Sequence, residues 1–276
     1  MSTGNDAFVI HRILAAVDAT PTSTTVLKTA ALLARKFGGE LEGIFVEDIN
    51  LLRLAGLPFA RELTWSTAMD LRLDYGRMER ALRGHASYAR QVVVNTTSQM
   101  NLHVSLRIAR GQIGPELLRA AQDIDLLILG KARKSQDVNI GVTTRQVVRQ
   151  AHCSVLLVAA EPRPYKTVMT MFDGTENSIQ RIKTAAQLAF AMGKNLLILI
   201  PAKADSDFQR LREQSRRSLI QDPLLVSYRA VATEEACFNG RLLKHENVGI
   251  VVLSAAPTNA IESQVLRLEC SVLIVR

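Results

Sequence analysis

Short, almost wholly apolar runs punctuate this chain: Arg12–Val17, Leu126–Leu129, Ser154–Val158, Thr167–Phe172, Asn195–Ile200, Val248–Leu253 and Ser271–Val275. Their Val, Ile and Leu content, without alternation of polar positions, predicts strands buried on both faces of a parallel sheet. Further strands are expected at Glu40–Glu47, Val104–Ala109 and Val226–Ala230. Apolar residues at helical spacing predict helices over Thr22–Phe37, Ser178–Met192 and Val142–Arg149. Thr20-Pro21 and Gly114-Pro115-Glu116 mark helix starts. Strand alternates with helix throughout. That order predicts parallel sheets covered by helices on both faces, because right-handed crossovers place them there.

The pattern occurs twice. Asp18 and Asp173, Lys28 and Lys183, and Gly38 and Gly193 all lie 155 residues apart, and KTAALLA matches KTAAQLA. At the far ends CSVLLV from Cys153 matches CSVLIV from Cys270, an offset of 117. Two homologous domains follow, residues 1–160 and 165–276, joined at the Pro-rich Glu161–Pro164. They are expected side by side about a pseudo-two-fold axis, with Ser154–Val158 and Ser271–Val275 as candidates for the contact. Leu126–Gly130 aligns with Ile250–Ser254 at an offset of 124, so the second half is 31 residues shorter before this strand and seven shorter after it.

Those seven residues fall where the first half has its most suggestive loop. The loop opens at Gly130, carries Lys131, Arg133 and Lys134, and reaches Gly141 just before the expected helix. A loop at the carboxyl end of a parallel strand lies where such sheets bind ligands. A helix amino end with unpaired N–H groups suits an anion. A tight turn with solvated basic residues is the alternative. In the second half Gly130 becomes Ser254, and Ala255–Leu268 has no glycine. Asp18 and Asp173 end matching strands, and their presence in both halves favours bonding to turn amides.

The extra residues of the first half span about 49–100. Leu51, Leu54, Leu57, Phe59 and Trp65 are expected to cover the carboxyl edge of the sheet or a neighbouring molecule. A long helix is expected from Asp70 to Met100, with Arg72, Arg77, Arg80, Arg83 and Arg90 on its polar faces.

Composition narrows the function. Charged residues make up 22% and hydrophobic ones 47%, so the chain is ordered and can hold one large core or two ordinary ones. Net charge is +8, divided +5 and +3 between residues 1–160 and the remainder, with no basic tail. No apolar run reaches membrane-spanning length, and MSTGNDAF does not resemble a secretory signal. Cys153, Cys237 and Cys270 form no CxxC pair, and a cytoplasmic location is expected. The histidines His11, His85, His103, His152 and His245 are scattered, and there is no GxSxG or GxxxxGK motif. No catalytic residue and no metal site is expected. His152 beside Cys153 is matched by Glu269 beside Cys270, which favours packing over thiol chemistry.

The strands ending in Asp (ILAAVD, VMTMFD), the KTAALLA helix, the Phe45-Val46-Glu47-Asp48 strand end, LLILGKAR and the closing CSVL(L/I)V strand together resemble the universal stress protein family in tandem form. The resemblance covers nearly the whole chain. It implies two doubly wound, Rossmann-like, five-stranded sheets of the adenine nucleotide alpha-hydrolase type, each in order 3-2-1-4-5, and pairing of domains as in a dimer. Some members bind ATP through G-x2-G-x9-G-(S/T), and others bind no nucleotide. Gly130 matches the first glycine, Arg133 stands where the second belongs, and Gly141 is the candidate third. Val142 replaces the usual Ser/Thr, with Thr143 next. Asp18 and Val46 match the positions that hold the base.

The resemblance therefore implies a non-enzymatic stress-response protein with at most one adenine nucleotide, ATP or AMP, in the first half. The alternative is a nucleotide-free scaffold acting through residues 49–100. Partners expected are the pseudo-dimer within the chain, a homodimer besides it, and a protein yet to be identified, with neither nucleic acid nor membrane.

Overall fold

The structure is a computed structural model that describes residues 10–57, 61–63, 70–72, 74–98, 100, 102, 104–131, 138–160, 163–219, 225–232, 240–255 and 268–276. The first half runs β1 (Arg12–Ala16), α1 (Thr22–Phe37), β2 (Glu40–Asp48), α2 (Ile49–Ala55), β3 (Arg61–Leu63), β4 (Asp70–Arg72), α3 (Tyr75–Ser98), β5 (Ser105–Gly111), α4 (Ile113–Ala120), β6 (Leu126–Gly130), α5 (Val138–Gln150) and β7 (Ser154–Val158). The second runs β8 (Thr167–Met171), α6 (Glu176–Met192), β9 (Asn195–Pro201), α7 (Asp205–Ser218), β10 (Val226–Val231), α8 (Gly240–His245), β11 (Val248–Ser254) and β12 (Ser271–Val275).

Repeated sequence makes repeated local structure. Gly38 and Gly193 end α1 and α6 at φ 68° and 63°, a left-handed turn that glycine enters without a Cβ penalty. Gly39 N then donates to Ala34 O at 2.9 Å, and Lys194 N to Ala189 O at 2.8 Å, the same bond 155 residues on.

In the main sheet each half has strand order 3-2-1-4-5, and all its pairs within a half are parallel. The two sheets are not merely side by side, as the sequence led us to expect. β7 and β12 pair antiparallel and fuse them into one ten-stranded sheet. Leu156 faces Leu273, flanked by Leu157–Val272 and Val155–Ile274. The 117-residue offset exchanges the two flanking pairs, so a pseudo-two-fold axis passes through Leu156 and Leu273. The neighbouring bonds obey it: Ala159 N donates to Ser271 Oγ at 3.0 Å, and Arg276 N to Ser154 Oγ at 3.4 Å.

Helices α1, α3, α6 and α7 cover one face of the sheet, and α4, α5 and α8 the other. Both apolar clusters include residues of both halves, so each core runs unbroken across the joint. No described helix is long and apolar enough to cross a membrane.

Three boundaries depart from expectation. The helix expected from Asp70 begins at Tyr75, because Asp70–Arg72 pairs with Arg61–Leu63 as a hairpin. Asp74 Oδ2 then accepts from Arg77 N at 3.0 Å and caps α3. α5 begins at Val138, so Gly141 lies inside its first turns rather than ahead of them. In α2 the buried residues are Leu52 and Ala55, whereas Leu51, Leu54 and Leu57 are exposed. The seven-residue helix turns Leu52 and Ala55 inward, which sends residues of the opposite phase to solvent. Phe59 and Trp65 lie outside the described residues.

Candidate functional site

In each half the sheet order reverses between the first strand and the fourth, and in the first half the helices after them, α1 and α5, lie on opposite faces. This opens a crevice at the carboxyl ends. In the first half the crevice lies between β1 and β6. Asp18 follows β1 and Gly130 closes β6. Ala16, Val46 and Ala109 lie half-buried at the ends of β1, β2 and β5 and pack on the same apolar cluster, with Val46 directly beside Ala109. They make an apolar wall suited to a planar ring.

Asp18 does structural work in this crevice. Its Oδ1 accepts from Thr20 N (3.0 Å), Thr20 Oγ1 (2.5 Å) and Ser23 Oγ (2.6 Å), which pins the turn into α1. Among the described residues no donor reaches Oδ2, so that oxygen can still accept from an amino or hydroxyl group. Glu47, next to Val46, is 7% exposed and held by Arg110 Nε at 2.7 Å.

Gly130 has a second reason to be glycine. A Cβ there would come 2.8 Å from Thr22 Cγ2 of α1, so the strand end and the helix touch. Lys131 turns toward the joint. It is 7% exposed, and its Nζ crosses the joint to donate to Leu268 O at 2.7 Å and Cys270 O at 3.1 Å. Burial pushes its pKa down to about 8. Its backbone direction is shared with the second half: Lys131 N donates to Val158 O as Ala255 N does to Val275 O. Arg133 and Lys134 lie outside the described residues, and nothing is described of the side chain of Val142. Thr143 is half-buried on α5, where both it and Val142 are past the first turn. Of residues 141–143, only Gly141 falls within the first four helix positions, whose N–H groups lack a partner in the helix.

The second half fills its crevice with its own side chain. Arg181 of α6 occupies the place that Val26 has in α1, and is 8% exposed. Its Nε donates to Met171 O at 3.0 Å and its Nη1 to Ser254 Oγ at 3.2 Å, with Nη2 4.0 Å from Asp173 Oδ2. Met171, Asp173 and Ser254 match Ala16, Asp18 and Gly130. Burial alone would raise the pKa of Asp173, but hydrogen bonds from Thr175 and Ser178 and the Arg181 charge hold it below the ordinary value. Arg181 escaped the sequence reading. Its signal is a charge aligned, at the constant offset, with an apolar helix position.

Elsewhere, burial pushes the Cys153 and Cys270 thiols up, and His152 is exposed, so no thiol–base pair forms. Among the described residues no His, Cys, Asp or Glu cluster is placed to hold a metal.

The model of the universal stress protein family matches residues 10–159. None of the curated proteins matches the sequence. Solved structures similar over nearly the whole chain include a universal stress protein from Archaeoglobus fulgidus, 14% identical, TM-score 0.70, with 98% of this chain and 97% of that one covered. A functionally unknown protein from Pseudomonas aeruginosa PAO1 is 15% identical at TM-score 0.64, covering 99% and 94%. A putative universal stress protein from Pseudomonas aeruginosa UCBPP-PA14 is 16% identical at TM-score 0.60, covering 98% and 95%. At these identities the likeness is one of fold.

Proposed function

This chain belongs to the universal stress protein family, and from that premise we propose that it is a non-enzymatic stress-response protein with at most one adenine nucleotide site, in its first half. The observation that carries the reading is the difference between the crevices. The first has Val26 and Gly130 where the second has a buried guanidinium and a serine. The residues present fit a base: an apolar wall at Val46 and Ala109, and Asp18 Oδ2 open to a donor. Phosphates would lie over Gly130, Arg133 and Gly141–Thr143. When bound, the nucleotide would supply the signal, its occupancy setting the state of the first half.

The test is mass spectrometry of ligand released from denatured protein, with calorimetric titration of ATP and AMP. Gly130→Val would clash with Thr22, so it confounds folding with binding. Gly130→Ala in a Thr22→Ser background removes the clashing methyl and is expected to lose binding while keeping the fold. Ser254→Ala is expected to change nothing. If wild type binds neither ATP nor AMP at millimolar concentration, the reading fails.

A second reading, a nucleotide-free scaffold acting through residues 49–100, is favoured by one observation. Leu51 and Leu54 point away from the core on a helix anchored at both ends, and Leu57 just past it is exposed too. Asp48 Oδ1 accepts from Asn50 N at 2.9 Å at one end, and Gly56 N bonds back to Leu52 O and Arg53 O at the other.

A further inference from the structure

α3 and α7 hold equivalent places in the two halves and treat their charges differently. α7 carries four arginines and three acids. It pairs Arg210 with Asp207 and Arg217 with Glu213, and sets Arg212 over the Tyr228 ring. That is a self-neutralised solvated helix. α3 also carries four arginines, but its one acid is Glu79. Glu79 is shared between Arg83 at 3.1 Å and Arg110 at 4.0 Å, so Arg77, Arg80 and Arg90 make no ion pair with described residues.

The arginines are also aligned. Arg80, Arg83, Ser87, Arg90 and Val94 are all exposed and recur at alternating steps of three and four. At 3.6 residues per turn they form one stripe, about 110° round the helix from the buried Leu82, Ala86, Ala89 and Val93. Val94 is 58% exposed, an apolar residue inside a basic stripe. α2 packs against α3 and exposes Leu51 and Leu54, and Leu57 just past its end is exposed as well. Exposed arginine and exposed apolar residues on two helices packed together make a surface suited to a partner rather than a merely solvated one.

We propose that α2 and α3 form a docking surface for an acidic amphipathic helix of another protein, its carboxylates meeting the Arg80–Arg83–Arg90 stripe and its apolar face meeting Val94 and the α2 leucines. Charge complementarity selects this occupant. A second copy of this chain would bring arginine against arginine, and the exposed Val94 and α2 leucines suit apolar side chains rather than phosphates. None of these residues lines the Asp18–Gly130 crevice, so this surface and the nucleotide reading stand or fall separately.

The test uses the full chain and three labelled probes, followed by fluorescence anisotropy: a helical peptide of Glu/Leu/Ala heptads, the same peptide with Lys for Glu, and a duplex oligonucleotide. The acidic peptide is expected to bind at least tenfold more tightly than the other two, and to weaken as salt rises. Arg80→Glu/Arg83→Glu/Arg90→Glu is expected to weaken it at least tenfold, and the milder Gln triple severalfold if the Glu triple fails to fold. Leu51→Ser/Leu54→Ser is expected to weaken it severalfold with the salt dependence intact. Reversing Arg210, Arg216 and Arg217 on α7 is expected to leave it unchanged. Equal binding of both peptides, tighter binding of the duplex, an inert α3 triple, or an equal loss from the α7 triple would each overturn the proposal.

Discussion

The first half ends its crevice with Val26 facing Gly130, and the second with Arg181 bonded to Ser254. Strand order, turn and helix ends are otherwise shared. Asp18 and Asp173 accept from Thr20 and Thr175 in the same way, at 3.0 and 2.9 Å from the backbone N. The Val26–Arg181 and Gly130–Ser254 exchanges therefore separate a crevice with no side chain of its own across it, among the described residues, from one occupied by its own chain. A buried guanidinium is costly unless its donors are met. The second half gives Nε a strand-end carbonyl and Nη1 a serine, and sets the Asp173 carboxylate 4.0 Å from Nη2, which makes the filled crevice part of the structure.

The sharpest way to break this comparison is Arg181→Met. It removes those bonds and leaves Asp173 without its cation, at a cost of about 2–3 kcal/mol in urea unfolding. Nucleotide binding in the first half should be unaffected. A cost near zero would mean that Arg181 only drapes over the crevice.

The joint offers a second contrast, because Lys131 crosses it and its counterpart Ala255 has no side chain to do so. The Lys131 ammonium is buried, with a pKa lowered from 10.5 to about 8. Below pH 8 both folded and unfolded chains carry the proton, and the folded state bears the full desolvation cost. Between pH 8 and 10.5 the folded chain releases the proton first, so stability should rise through that window relative to Lys131→Met. The ceiling of the rise is about 3 kcal/mol, read as the difference between two unfolding curves taken across pH. A flat difference would place the ammonium in contact with water.

The smallest effect should come from the paired aspartates. Asp173→Asn is expected to cost about 1 kcal/mol, present above the ordinary carboxyl value of 3.8 and lost as pH falls below it, because the folded carboxyl is held lower. Equal pH dependence of Asp173→Asn with and without Arg181→Met in thermal melts would remove Arg181 from the account.

Much of this was legible in the sequence. The repeat marked the two halves and their strands, the strand order came with the family resemblance, and the nearly identical closing strands pointed to the joint. Gly130 was half legible. A glycine at a strand end signals room, but only the packing of Thr22 shows that α1 uses part of it. Lys131 was misplaced because charge beside a glycine loop suggests a phosphate, while the direction in which the chain leaves β6 carries its side chain to the joint. The leucines of α2 were expected to be covered because a run of apolar residues does not show which phase faces inward. Leu52 and Ala55 took the core. Arg181 was hidden in plain view, since a helix pattern tolerates one charge and only alignment with Val26 shows that it falls on the buried face.

The central claim, one site in the first half and none in the second, is tested most directly by the stoichiometry of calorimetric ATP titration. The chain is expected to bind no more than one equivalent, to lose it in Gly130→Ala/Thr22→Ser, and to keep it in Ser254→Ala. Two equivalents per chain, or one equivalent lost only with Ser254→Ala, would contradict the account.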